Sequence, residues 1–99
     1  MEGRARISAD VLASYAADAA AEIPGVRGLA ESPLPGRRGV RVTSTDERVS
    51  LELHLTVDWG ASVPAVGRSV QQRVREYLER MADVQPAAVD VVVDQIAPR

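Results

Sequence analysis

His54 is the single histidine of the chain, and no cysteine accompanies it. Glu52 and Thr56 flank it at a spacing of two, so all three project from one face of an extended segment. A His–Glu pair at that spacing can bind a metal ion or pass a proton. One histidine without thiolates makes a poor zinc site, because tetrahedral zinc is held by several nitrogen and sulfur ligands. Asp90 and Asp94 can approach His54 if their segment lies beside it. As isolated carboxylates, however, they and Asp58 read as ordinary strand exterior, and His54 reads as a surface strand residue.

The other chemical signals fail in context. Serines stand at positions 8, 14, 32, 44, 50, 62 and 69. None lies in a Gly-x-Ser-x-Gly elbow, and His54 is the only histidine base available to any of them. Ser8 and Ser62 are better placed as helix caps. Gly36-Arg37-Arg38-Gly39 has the form of a backbone-clamping GXXG loop, but that loop joins two helices and this one leads into a strand. Gly25-Val26-Arg27-Gly28 lacks both the lysine and the following helix of a phosphate loop. No catalytic residue, metal ligand or cofactor-binding residue is expected, and the chain is not expected to be an enzyme.

Composition narrows the remaining options. Ninety-nine residues with a net charge of −2 suit one domain, taken as residues 1–99, and argue against a nucleic-acid binder. All 12 basic residues are arginine. With no cysteine and no phenylalanine, the core must come from Val, Leu, Ile and Ala, joined by Trp59 and tyrosine. The apolar runs fall short of the ~18 residues of a membrane span, and no leader is apparent at the N-terminus. A cytoplasmic protein without direct membrane insertion is expected. Arg37, Arg38 and Arg41 form a local basic patch, and an anionic partner such as nucleic acid or lipid headgroups is the alternative reading for it.

The elements that position these residues follow from periodicity. After a short extended lead-in at 4–7, Ser8 caps a helix running to about Glu22. Its inner stripe is Leu12, Tyr15, Ala16, Ala19 and Ile23, and Pro24-Gly25 ends it. Short strands are expected at 26–30 and 40–43, separated by a Pro- and Gly-rich loop over 31–39. Residues 49–59 alternate strictly: Val49, Leu51, Leu53, Leu55, Val57 and Trp59 face one way, and Ser50, Glu52, His54, Thr56 and Asp58 the other. Ser62 and Pro64 open a second helix with an apolar stripe of Val63, Val66, Val70, Val74, Leu78 and Met81. Arg75–Glu79 and Glu76–Arg80 have ion-pair spacing on its outer side. The last strand, 88–96, puts Val89, Val91 and Val93 on one face, with Asp90, Val92, Asp94 and Ile96 on the other. A right-handed crossover makes it parallel to 49–59. The fold class is α+β: a small mixed sheet of three to four strands with two helices on one face.

Three stretches in this order resemble the alkaline shock protein family of bacterial envelope-stress proteins. Ile7-Ser8 opens an alanine-rich helix closing on Ala21-Glu22-Ile23-Pro24-Gly25-Val26-Arg27-Gly28, similar to the family's A-E-x-x-G-V-x-G. Leu55 to Pro64 is similar to its V-x-Y-G-x-x-I-P junction, with Trp59 in the tyrosine place and Val63 for isoleucine. Val66, Val70, Gln71 and Val74, then Val84 and the strand Val89 to Val93, resemble its ending. The glycines at 25, 28 and 60 belong to the chain reversals in this pattern.

The resemblance implies a non-enzymatic cytosolic scaffold supporting envelope homeostasis, often held at the membrane by a separate membrane-spanning partner. Some relatives are linked to fatty-acid synthesis. The long acidic or polar tails of many members are absent here. A homo-oligomer or protein-binding module is therefore expected. Its candidate surface is Arg37, Arg38, Arg41, Glu52, His54, Thr56, Val92 and Ile96, whose mixed character suits reversible association.

Overall fold

The computed structural model of the chain describes residues 7–30 and 39–98. Ser8 caps α1 (Ala9–Ala21), its Oγ accepting from the Val11 N–H at 3.2 Å. Asp10 lies in the first turn, where the helix dipole favours an anion. Ser62 caps α2 (Val63–Ala82), its Oγ accepting from the Ala65 N–H at 3.4 Å. Asp83 ends α2 in the left-handed conformation, its N–H returning to the Glu79 and Leu78 carbonyls.

Among the described residues four strands join the helices: β1 (Val26–Leu29), β2 (Val40–Thr45), β3 (Arg48–Val57) and β4 (Ala88–Ile96). β3 pairs antiparallel with β1 and β2 and parallel with β4, so the sheet is mixed, as the crossover rule requires. β4 takes one edge of β3 along residues 50–57. β1 and β2 must therefore share the other edge end to end, β1 against 55–57 and β2 against 48–53. Asp46 and Glu47, with φ of 49° and 65°, make the two-residue turn between β2 and β3, where both central residues need positive φ.

The seam between β1 and β2 falls at His54. Its carbonyl accepts from the Ala30 N–H at 2.8 Å, and its own N–H donates to the Gly39 carbonyl at 2.7 Å. Gly39 has φ +71°, and a Cβ there would lie 2.5 Å from the Ala30 carbonyl oxygen and 2.9 Å from that of His54. Only glycine lets the returning chain enter between those two carbonyls.

The odd-numbered face of β3 is the core. Leu51, Leu53, Leu55 and Val57 are buried under Val66, Val70, Val74 and Leu78 of α2 and Leu12, Ala16, Ala19 and Ala20 of α1. Both helices lie on this one face, the small α1 residues allowing close approach. At the helix–helix boundary Tyr15 and Tyr77 meet edge to face at 5.9 Å. Arg73 reaches the Glu22 carboxylate at 2.7 Å, tying the end of α1 to α2.

Several expectations need correction. Trp59 is 61% exposed and not part of the core: β3 stops at Val57, so the alternation that would have turned Trp59 inward has already ended. Met81 is exposed because the buried stripe of α2 ends at Leu78, before the left-handed cap. Gly28 has ordinary φ and open space around it, so the reversal depends on Gly25, where a Cβ would press on Val66 Cγ2 at 2.8 Å. Arg75 donates to the Pro86 carbonyl, and Glu76 accepts from Gln72 and faces Arg73, in place of the expected i,i+4 pairs.

Candidate interaction surface

With both helices on one side, the even-numbered face of β3 carries no helix among the described residues. Register fixes what stands there. Arg41, Glu52 and Asp90 form one row across β2, β3 and β4. Thr43, Ser50 and Ala88 form the next row, and His54 stands beside Val92. Val92 is 37% exposed, an apolar side chain in the middle of a polar face.

Beyond Val93 the β4 register shifts, so that Leu55 pairs with Val93 but Thr56 pairs with Gln95. Asp94 is the extra residue of this bulge. Bulges re-aim side chains, and here the carboxylate reaches His54 Nδ1 at 2.9 Å. Glu52 approaches the other ring nitrogen, its Oε2 lying 2.9 Å from Nε2. The ring is thus held between two carboxylates, one from each neighbouring position on the face.

A neutral imidazole would turn one lone pair toward a carboxylate, whereas the imidazolium donates to both. The hydrogen bond to Glu52, then that to Asp94, raise the His54 pKa above its ordinary 6.5 against a smaller effect of burial. The same bond with His54, helped by the charges of His54 and Arg41, lowers the Glu52 pKa below its ordinary 4.5. For His54 the stabilisation is complete below the unfolded pKa and disappears as pH rises through the folded one. For Glu52 it is complete above the unfolded pKa and disappears as pH falls through the folded one. The network is therefore most favourable between the two ordinary values. The His54 ring protons should titrate in NMR with a midpoint above 6.5, and Asp94→Asn should move that midpoint back down. The associated change in Tm should be no more than a few degrees, because these side chains are over a third exposed or nearly so and water screens them.

This arrangement does not favour catalysis by His54. In a hydrolytic triad one ring nitrogen faces an orienting carboxylate and the other faces a hydroxyl to be deprotonated. Here the second nitrogen faces the Glu52 carboxylate at 2.9 Å, which stands where a triad would place the hydroxyl. The two nitrogens also point in different directions, so their carboxylates do not converge on one point. Among the described residues no group of three His, Cys, Asp or Glu side chains could hold a metal ion.

The structure brings Arg41, Glu52, His54, Thr56 and Val92 onto one face. Ile96 departs from the expected set: past the bulge it stands opposite Val57, a core-face position, and it is 53% exposed at the end of β4. Arg37 and Arg38 lie outside the described residues. Arg41 stands in the row with Glu52, and its charge helps to lower the Glu52 pKa. Asp94 completes the network although the alternation alone marks it as ordinary exterior. Its signal was only its place on the strand parallel to that of His54, because the bulge carries no glycine or proline.

The sequence matches the alkaline shock protein 23 family, of cell envelope-related function, over residues 1–98. The chain belongs to this family. Among relatives, the uncharacterized protein Spy1614 of Streptococcus pyogenes serotype M6 is 29% identical over 107 residues, covering 96% of this chain and 88% of that protein. The uncharacterized protein YqhY of Bacillus subtilis is also 29% identical, over 83% of this chain and 68% of that one. Among solved structures, a manganese form of the MamM CTD superposes with a TM-score of 0.59 at 16% identity, covering 89% of this chain and 99% of that one. MamM-CTD 215-293 gives 0.60 at 15% identity, with the same coverage of 89% and 99%. At such identities the likeness is one of fold. Membership in the alkaline shock protein 23 family agrees with the helix–strand reversal at Gly25 and the strand–helix junction before Ser62. Among the described residues no helix is long and apolar enough to cross a membrane.

Proposed function

We propose that this chain is a non-enzymatic interaction module serving the cell-envelope role of its family, and that the open sheet face is its contact surface. The observation that carries this reading is the face itself: three strands wide, left bare by both helices, and set with Val92 among oriented charges. Glu52, His54 and Asp94 are held in place by their own network, which lowers the entropy lost on docking.

The sheet edges are poorer contact surfaces. β4 carries a bulge and the carboxylates Asp90 and Asp94, devices that discourage edge pairing. The other edge is divided between the short β1 and the six-residue β2. Contact through the face leaves those strands undisturbed. Partner-held attachment at the membrane fits the same reading, with the anchor supplied by another protein.

The test is genetic. Thr43→Glu with Val92→Glu alters the face while leaving the core untouched. In the native cell, the folded variant should tolerate envelope stress as poorly as a deletion of the gene, and Gln72→Glu on the outer side of α2 should behave as wild type. Normal tolerance in the face variant at wild-type abundance contradicts the proposal.

A further inference from the structure

We infer that one end of the sheet face is a binding site for a small hydroxylated anion, a sugar acid or sugar phosphate, held between Arg48 and Asp46. The site is a cavity of about 580 Å³ lined by Thr43, Thr45, Asp46, Arg48, Ser50 and Ala87. It lies where the β2–β3 turn meets the start of β4, and the His54 network stands further along β3. The inference concerns a small molecule, so it does not depend on the protein-contact reading above.

Pairing register builds the floor. Thr45 stands opposite Arg48, and Thr43 opposite Ser50. Residues directly opposite are about 5 Å apart, and successive residues on one face of a strand about 7 Å apart. These four side chains mark out a rectangle of sugar-ring size, with hydroxyls at three corners and a guanidinium at the fourth. Asp46, at φ 49°, lines the cavity from the turn. On the far side Ala87 is fixed by its N–H, which donates to the Val49 carbonyl at 2.7 Å. The volume suits a small molecule. Ala87 is the one apolar side chain in the lining, so the cavity favours a polar ligand.

The polar groups of the lining are available. Among the described residues, no hydrogen bond or ion pair within the chain engages the Arg48 guanidinium, the Asp46 carboxylate or the three hydroxyls. Arg48 and Asp46 thus share one cavity without pairing to each other. Elsewhere on the surface Arg27 takes Asp58 at 2.8 Å, and Arg73 takes Glu22 at 2.7 Å.

Such a cavity selects a ligand with two different ends. A guanidinium presents a planar fork that matches a carboxylate or phosphate. An ionised carboxylate only accepts, so Asp46 calls for a donor, which sugar hydroxyls supply. The threonine and serine hydroxyls donate or accept as the groups between require. A bare oxyanion gains at Arg48 but is repelled by Asp46, and a neutral sugar leaves Arg48 unpaired. A free amino acid answers both charges but leaves most of the hydroxyl floor unused.

NMR titration of the isotope-labelled protein provides the test. Glucose-6-phosphate and glucuronate are added separately, which distinguishes phosphate from carboxylate as the anionic group. At least one should shift amides at 43–50 and 87, with a dissociation constant on the order of 1 mM, as suits an open site. Inorganic phosphate and glucose should each bind at least about tenfold more weakly than that ligand. Arg48→Gln should weaken its binding at least about tenfold. Asp46→Asn should narrow the preference for the sugar over inorganic phosphate, and asparagine tolerates the positive φ of the turn. Both positions are exposed, so neither substitution should disturb the fold. Arg68→Gln, on α2, should bind as wild type.

No saturable shift at these amides with either anionic sugar at tens of millimolar overturns the site. So does binding indifferent to Arg48→Gln. Inorganic phosphate or free serine binding as tightly as the sugar overturns the ligand class.

Discussion

Truncating Leu53 to alanine is expected to remove about 3–5 kcal/mol of folding stability, the range for a fully buried leucine whose site cannot collapse. Leu53 has no exposed surface and stands in the middle of β3, with Val40 opposite it on β2 and Val91 on β4. Helices close the site from above, so the cavity is walled by elements that are themselves fixed by pairing. Domains of this kind have roughly 5–15 kcal/mol in total, so the loss is about a fifth of that or more. Urea denaturation should show the midpoint falling with the slope unchanged. Val92→Ala, on the opposite face, should change stability by no more than about 0.5 kcal/mol. Equal losses from the two would mean that the two faces of the sheet have been misassigned.

Substitution of Gly39 by alanine should be nearly as damaging, at about 3 kcal/mol or more. Two effects add. The residue holds φ +71°, which an L side chain rarely adopts, and the new Cβ would meet the Ala30 and His54 carbonyl oxygens at 2.5 and 2.9 Å. Neither obstacle is the end of a flexible side chain that could swing aside. Relief requires the seam between β1 and β2 to open, breaking the Gly39 and Ala30 hydrogen bonds to the His54 backbone. Hydrogen exchange at the His54 and Ala30 amides should therefore accelerate more than exchange in α2. Unchanged exchange there, or a loss below about 1 kcal/mol, would show that the seam can absorb a side chain.

Much of this architecture is legible in the residues. The alternation from Val49 to Val57 separates core from open face, and the apolar spacing from Val66 to Leu78 gives the buried side of α2. The strand over 88–96 and its parallel pairing follow from patterning and handedness. Trp59 shows where alternation misleads: it continues the period in type, but the strand ends two residues earlier and the side chain is left in solvent.

The bulge at Asp94 shows a different limit. A one-residue register shift reverses the phase of everything after it, so Ile96 moves from the row of Val92 to a place opposite Val57. No glycine or proline announces it. The His54–Asp94 contact joins residues 40 apart and depends on that shift. The sharing of one β3 edge by β1 and β2 is likewise a matter of pairing, which the short strands do not specify by themselves. Gly39 reads in sequence as the end of a Gly-Arg-Arg-Gly loop, whereas its structural necessity comes from two carbonyls, that of Ala30 just past β1 and that of His54 in β3.

The most direct measurement is site-specific photo-crosslinking in the native cell, with a photoreactive amino acid placed at Thr43 or Val92 on the open face and at Gln72 on α2. Discrete protein adducts are expected from Thr43 and Val92 and none from Gln72. Adducts confined to Gln72, with the sheet positions silent in a folded protein of normal abundance, would contradict the proposed contact surface.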